Sequence, residues 1–123
     1  MTWTAADLAA LSASESLELS AGSDGDAWVE VGFVLVDGTL FVRAFRGPGS
    51  RWFQAASNHG RGRIRVGSLS RAVAFAADGE GTAGIDEAYR AKYGAASLVT
   101  ETRARAATLR VTTLETAGFD VST

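Results

Sequence analysis

The stretch RAFRGPGSRWF, residues 43–53, combines residue types that could bind an anion. Gly47 and Gly49 let the backbone turn sharply and approach a ligand closely. Ser50 is a candidate N-cap of a following helix, and the first amides of a helix have no partner within it. A helix start of this kind attracts phosphate, and nearby guanidinium groups can bind the same phosphate through paired hydrogen bonds.

The positive charge of such a site would come from the arginines around the turn. One lies on the preceding strand, one in the turn and one at the helix start: Arg43, Arg46 and Arg51. Arg61 or Arg63 could add charge from the next strand. Trp52 could cover a ring system or belong to the core. The same residues also suit an ordinary turn beside a solvated arginine face, so both interpretations stay open at this point.

Charge is distributed unevenly along the chain. The 123 residues include 12 basic and 14 acidic side chains, for a formal net charge of −2. Between Gly38 and Ala77, however, there are seven arginines and no Asp or Glu. Because the net charge disfavours bulk attraction to nucleic acid or to an anionic membrane, we expect neither as a partner.

Length and composition indicate one globular domain spanning residues 1–123. Hydrophobic residues make up 46% and charged residues 21% of the chain, as in folded proteins rather than disordered ones. No apolar run approaches the ~20 residues of a membrane helix. The first residues contain no Lys or Arg and so lack the basic opening of a secretory signal, which predicts a cytoplasmic location.

The sequence assigns no catalytic residue and predicts no metal site. Without cysteine there is no thiolate ligand, disulfide or Cys nucleophile. His59 is the only histidine, and common metal sites need several N, S or O ligands. We interpret His59 as a helix-end residue rather than a catalytic base, and no nucleophile-elbow spacing is present.

The clearest local pattern is a β-hairpin that ends at the arginine-rich turn. Trp28–Val36 and Thr39–Phe45 are rich in β-branched and aromatic residues. Asp37-Gly38 between them is typical of a two-residue turn in which both residues adopt positive φ. Along the second strand Arg43 alternates onto the same face as Phe41.

The remaining pattern predicts three helices, a further short helical piece before the last strand, and four further strands. The helices are one within residues 1–14 that Thr4 caps, one at Arg51–Gly60 and one at Ile85–Gly94. The strands are Leu17–Gly22, Arg61–Gly67, Arg71–Ala77 and Thr108–Glu115. This order predicts a mainly β fold with α-helices, a six-stranded antiparallel split β-barrel decorated by short helices.

The order of these pieces resembles the FMN-binding split β-barrel superfamily, which includes pyridoxamine-phosphate oxidases and deazaflavin-dependent nitroreductases. The resemblance covers approximately Leu17–Leu114. It is carried by LFVRAF, by RGPGSRWFQAASNHGRGRI and by the ending AYRAKYGAASLVTETRARAATLRV. More closely, VRAFRGPGSRWFQAA and IDEAYRAKYG resemble an uncharacterised bacterial family of about this length, known as a domain of unknown function.

The resemblance implies a barrel that binds FMN or a deazaflavin and acts as an oxidoreductase on an unknown small molecule. In the superfamily a Ser/Thr-Arg/Lys pair at the start of the short helix holds the flavin phosphate, and Ser50-Arg51 match it. The implied cofactor-binding set is Arg43, Arg46, Gly49, Ser50, Arg51, Trp52 and Tyr89, the last two beside the ring. The resemblance also implies a homodimer.

Two departures from the superfamily pattern leave the substrate open. Gly47-Pro48-Gly49 replaces the Thr/Ser-Gly-Arg entry common in deazaflavin enzymes, and the extra basic residues by which pyridoxamine-type oxidases hold their substrate are missing. The alternative is a non-catalytic small-molecule-binding protein that kept the barrel without a redox cofactor. A single-stranded nucleic-acid platform built on Trp52 and Phe53 is disfavoured by the net charge.

Overall fold

The structure, a computed structural model, describes residues 3–21, 28–44, 49–77, 82–93 and 107–114. Within these ranges the helices are α1 (Ala5–Ser12), α2 (Arg51–His59) and α3 (Thr82–Tyr93). The strands are β1 (Ser16–Ala21), β2 (Val29–Val36), β3 (Thr39–Arg43), β4 (Arg61–Val66), β5 (Leu69–Ala77) and β6 (Thr108–Thr113).

The six strands close into an antiparallel barrel in the order β1-β2-β3-β6-β5-β4. Leu19 of β1 lies opposite Val29 of β2 and opposite Ile64 of β4, so β1 joins the two halves of the barrel. Strand β6, the last along the chain, inserts between β3 and β5. The predicted six-stranded antiparallel barrel with short helices is confirmed. The short helical piece predicted before the last strand lies outside the described residues.

Local residue chemistry explains how several elements begin and end. Asp37 and Gly38 have φ of 53° and 78°, which confirms the predicted hairpin turn. Gly60 ends α2 in the left-handed region, with φ of 72°. Strand β5 begins at Leu69 rather than at Arg71, because backbone pairing with Val66 continues up to the turn even where the apolar alternation fades.

The core fills the barrel and extends into two of the helices. Inward-facing strand residues such as Leu40 and Val42 pack with Trp3 and Leu11 near the N-terminus and with Phe53 of α2. Among the described residues, no helix has the length and apolar character needed to cross a membrane.

Helix α3 packs against the outside of the barrel wall. Ile85 and Tyr89 form a second apolar cluster with Val34 of β2 and Phe41 of β3. Phe41 faces outward, and so does Arg43 two residues later, which confirms that the two share a face. Helix α3 therefore covers the part of β3 that carries Arg43.

Candidate functional site

The N-terminus of α2 is the first part of the predicted site that the structure describes. Ser50 has an extended backbone, with φ of −63° and ψ of 136°, and its side chain makes no capping hydrogen bond. The helix begins with Gln54 N donating to Ser50 O over 3.0 Å. Gly49 and Arg51 are exposed, and a Cβ at Gly49 would meet nothing within 4 Å. This helix start is open to solvent.

Helix α1 begins in a different way. Asp7 N donates to Thr4 Oγ1 over 3.1 Å, and Thr4 N donates to Asp7 Oδ2 over 3.2 Å, which completes a capping box. The carboxylate also complements the positive end of the helix dipole. The first turn of α2 has no acidic residue. Within the part of the chain that the structure describes, a carboxylate thus lies at the start of α1, whereas the first turn of α2 contains none.

Helix α2 is held by its apolar side. Phe53 and Ala56 are buried in the barrel core. Trp52 is half-buried, packs against the same core and meets Phe53 edge to face, with ring centroids 6.3 Å apart. The core therefore fixes the position of the Ser50-Arg51 pair, and the adjacent Trp52 is only partly buried.

Arg43 lies under α3, where it is 2% exposed. Its Nη1 forms an ion pair with Asp86 Oδ1 at 2.5 Å, and its Nε donates to Thr108 Oγ1 over 2.9 Å. Burial of a guanidinium requires such partners, because an uncompensated charge in the interior is costly. The charge of Arg43 is therefore balanced by a carboxylate of the protein itself.

Tyr89 lies beside this ion pair and is also buried. The Arg43 guanidinium carbon is 5.5 Å from the centroid of the Tyr89 ring, and Tyr89 Oη donates to Gly32 O over 3.3 Å. Of the residues predicted to bind cofactor, the structure thus brings Arg43 and Tyr89 together. Trp52 packs against the barrel core, which is a different cluster. Arg46 lies outside the described residues.

Lys92 continues the polar contacts of α3 with the barrel. Its Nζ donates to Phe33 O over 2.9 Å and lies 3.3 Å from the centroid of the Phe33 ring. Partial burial lowers the pKa of Lys92 below its ordinary value, and the negative charge of Glu15 opposes that change. The amine of Lys92 thus contacts a backbone carbonyl of β2.

The profile of a protein family described as an uncharacterized protein conserved in bacteria (DUF2255) matches residues 7–111. The chain belongs to this family. The match runs from α1 into β6 and includes Ser50, Arg43 and Asp86. No curated protein and no solved structure matches the chain. The resemblance to an uncharacterised bacterial family is confirmed, whereas the likeness to the FMN-binding superfamily stays a prediction.

In this family member the sequence pattern did not identify Asp86 as the partner of Arg43. Asp86 lies beyond the first turn of α3, is 3% exposed and forms the ion pair with Arg43. The sequence does contain one indication that Asp86 is buried. Asp86 lies three residues before Tyr89, and residues at that spacing share a helix face. A carboxylate on the apolar face of a helix indicates a buried partner.

The other described arginines between Gly38 and Ala77 either pair with a carboxylate or are exposed. Arg65 pairs with Glu18 at 3.1 Å and stacks on Trp28, whereas Arg71 pairs with Asp7 at 3.0 Å. Arg61 and Arg63 are exposed on β4.

A shallow groove of about 560 Å³ lies between α1 and the β4–β5 turn. Residues such as Ala10 and Leu69 line it, and no residue of α2 does.

Proposed function

We propose that this protein binds a flavin-class cofactor, FMN or a deazaflavin, with the cofactor phosphate at the start of α2. The protein would use it in a redox reaction on a small molecule. The observation that carries the proposal is the open N-terminus of α2. There the Ser50 hydroxyl makes no capping bond, and Arg51 is exposed beside it. A phosphate group matches these donors in charge and geometry.

The residues at this helix start are chemically suited to a phosphate. The Ser50 hydroxyl and the first amides of α2 can donate hydrogen bonds, and the Arg51 guanidinium adds a full positive charge. No acidic residue in the first turn would repel the phosphate. A Cβ at Gly49 would meet nothing within 4 Å, so the space beside this residue is open. A bound flavin-class ring would supply hydride transfer, while the protein binds and orients it.

Arg43 and Tyr89 have an indirect role in this proposal. Asp86 balances the charge of Arg43, so Arg43 brings little net charge to a phosphate. The two residues instead fix α3 against β2 and β3. Trp52 remains the proposed contact for the ring, because it is half-buried and adjacent to the helix start. Arg46 would add charge from the turn.

The test is a titration of the purified protein with FMN and, separately, with a deazaflavin cofactor, followed by fluorescence or calorimetry. Ser50→Ala and Arg51→Ala should each weaken binding by about tenfold or more, since hydrogen bonds to charged groups contribute ~1.5–3 kcal/mol. Ser68→Ala and Arg90→Ala are matched controls. They remove the same groups from exposed positions on the β4–β5 turn and on α3.

Each outcome has a defined meaning. The absence of affinity for both cofactors would contradict the proposal, and so would equal weakening in the control variants. Binding of a different small molecule, without turnover of a reduced cofactor, would favour the non-catalytic small-molecule-binding alternative that lacks a redox cofactor. Light scattering with and without cofactor would test the homodimer that the resemblance implies.

A further inference from the structure

Strand β5 has a neighbouring strand on both sides along only part of its length. Its residues 69–74 pair with β4, and its residues 73–77 pair with β6. Contact with β6 extends one residue further, because Leu114 N donates to Ala72 O over 2.9 Å. Among the described residues, no strand pairs with residues 69–71 on the side that β6 occupies. Because β5 and β6 are antiparallel, the chain leaves β6 in the direction of Leu69.

The shallow groove of about 560 Å³ lies at the same end of β5. Val66 and Leu69 line it from the barrel, and Ala6 and Ala10 line it from α1. The two alanines are too short to fill the space between the helix and the barrel. Among the described residues that line the groove, Arg71 is the only charged one. The groove thus combines apolar side chains with one positive charge.

Arg71 lies at the groove with its guanidinium held on two sides. Its Nη2 pairs with Asp7 Oδ1 at 3.0 Å, and its Nη1 donates to Ser70 O over 2.9 Å. The side chain of Asp7 is 2% exposed, whereas that of Arg71 is 30% exposed. A group that enters the groove therefore meets the guanidinium, since the carboxylate is almost inaccessible.

The sequence that follows β6 is complementary to this groove. Residues 115–123, which lie outside the described ranges, read ETAGFDVST and contain two acidic side chains and no basic one. Phe119 and Val121 alternate with Asp120 and Ser122. In an extended chain this alternation puts the apolar side chains on one side and the polar ones on the other.

We propose that residues 115–123 dock in the groove of their own chain, with Phe119 and Val121 packed between α1 and the β4–β5 turn. The path is short, because β5 rises roughly 10 Å from Leu69 to Ala72. The chain from Leu114 to Phe119 spans at most ~17 Å when it is extended. Phe119 can therefore reach the groove directly from the end of β6.

The register of β6 also brings an acidic residue to the positive charge of the groove. Val73 lies opposite Thr113, so two residues further along the same antiparallel pair Glu115 comes opposite Arg71. Side chains of directly opposite residues lie on the same face, and unlike charges there attract each other. This attraction does not require the existing bonds of Arg71 to break.

The covalent attachment of the segment favours it over a separate ligand. A group tethered next to its site has a high effective concentration, so that a small contact area is sufficient. A buried phenylalanine contributes about 150–250 Å² to such a contact. The docked segment closes the barrel between α1 and the start of β5. This inference is independent of the proposed cofactor function, because no described residue of α2 lines the groove.

Nuclear magnetic resonance of the full, isotope-labelled chain tests the proposal. Phe119→Ser should shift the backbone amide signals of Ala10 and Leu69, because it removes the apolar contact in the groove. Ser122→Ala is the matched control. It changes the polar side of the same segment and should leave those signals in place. Circular dichroism confirms that each variant is folded.

A second pair of variants changes the groove instead of the segment. Ala10→Phe fills the groove from α1 and should move the signals of Phe119 and Val121 to the positions they have in a free peptide of residues 115–123. Ala9→Phe adds the same side chain at an exposed position of α1 that does not line the groove. It should leave both signals unchanged.

A paramagnetic label measures the contact directly. The chain has no cysteine, so Ser122→Cys provides a single attachment point. Docking predicts selective broadening of the amide signals of Ala6, Ala10 and Leu69. A mixture of paramagnetic protein without the isotope and isotope-labelled protein without the paramagnetic group should show no such broadening, because the contact lies within one chain.

Three results would overturn the proposal. The first is that Phe119→Ser leaves the groove signals unchanged, or that Ser122→Ala shifts them as strongly. The second is weak, uniform broadening over the whole surface, which would mean that the segment does not dock. The third is equal broadening in the mixed sample, which would assign the groove to the segment of a second copy.

Discussion

At the residue scale, Arg43 and Arg65 show how burial determines the contribution of an ion pair to the free energy of unfolding. The side chain of Arg43 is 0% exposed and that of its partner Asp86 is 4% exposed. The side chains of Arg65 and Glu18 are 42% and 50% exposed. Exposed pairs contribute ~0–1 kcal/mol, whereas removal of one partner from a buried pair costs ~3–5 kcal/mol because a charge is left uncompensated.

We therefore expect Asp86→Ala to lower the free energy of unfolding by about 3–5 kcal/mol and Glu18→Ala by less than about 1 kcal/mol. The double variant Arg43→Met/Asp86→Leu should recover much of the loss, since no buried charge remains. Urea unfolding at neutral pH measures all three. Equal midpoints for the two single variants would show that the buried pair does not hold α3.

The lowered pKa of Lys92 should make the stability of the protein depend on pH. Its pKa in the folded protein lies below the ordinary 10.5, mainly because of burial, so the unfolded chain binds the proton more tightly. Stability rises with pH wherever the unfolded state binds more protons. The wild type should therefore gain stability relative to Lys92→Met as the pH rises from the lowered pKa towards 10.5. Urea midpoints of both proteins at several pH values measure this gain, and parallel curves would contradict it.

At the element scale, two glycines carry opposite constraints. Gly62 lies in β4 where the barrel closes on β1, and a Cβ there would lie 2.1 Å from Ser20 O and 3.0 Å from Phe75 Cε2. Gly84 lies in α3, where a Cβ would meet nothing within 4 Å. Glycine in a strand often marks a close approach of backbones, whereas in a helix it mainly adds conformational entropy to the unfolded chain.

The same substitution should thus have opposite effects at the two positions. Gly62→Ala should cost about 2 kcal/mol or more, because the strand or its neighbour must move. Gly84→Ala should stabilise the protein by about 0.5 kcal/mol through helix propensity and reduced unfolded-state entropy. Thermal and urea unfolding compare the two variants. A tolerated Gly62→Ala would mean that β1 and β4 can separate at no cost.

At the scale of the whole molecule, α1 and the barrel share one core. Leu11 is completely buried, and both Leu11 and Trp3 pack in the same cluster as Val111 of β6. A helix that contributes to a common core should not unfold separately. The described residues at the beginning and end of the sequence are thus linked through the barrel interior.

Leu11→Ala should therefore destabilise the entire fold by about 2–5 kcal/mol, the usual cost of such a cavity. The unfolding curves from far-ultraviolet circular dichroism and from tryptophan fluorescence should still coincide, because one cooperative unit is lost. Leu114→Ala is the control, since Leu114 is 38% exposed. Two separate transitions would instead show that α1 unfolds independently of the barrel.

Local patterns predicted most of the elements and the start of α2. The turn at Asp37-Gly38, the end of α2 at Gly60 and the shared face of Arg43 and Phe41 follow from backbone preferences and strand alternation, which act over a few residues. The serine and arginine at the start of α2 could be found in the same way. A helix N-terminus is defined by its immediate neighbours.

Only the tertiary structure decided which charges remain for a ligand. The partner of Arg43 is Asp86, 43 residues away, and their meeting depends on α3 packing against β3. The pairing of Arg71 with Asp7 and the exposure of Arg61 depend in the same way on how the barrel closes. Sequence spacing cannot report these distances, because hydrophobic packing brings distant segments together, and that packing neutralises some arginines while others stay in solvent.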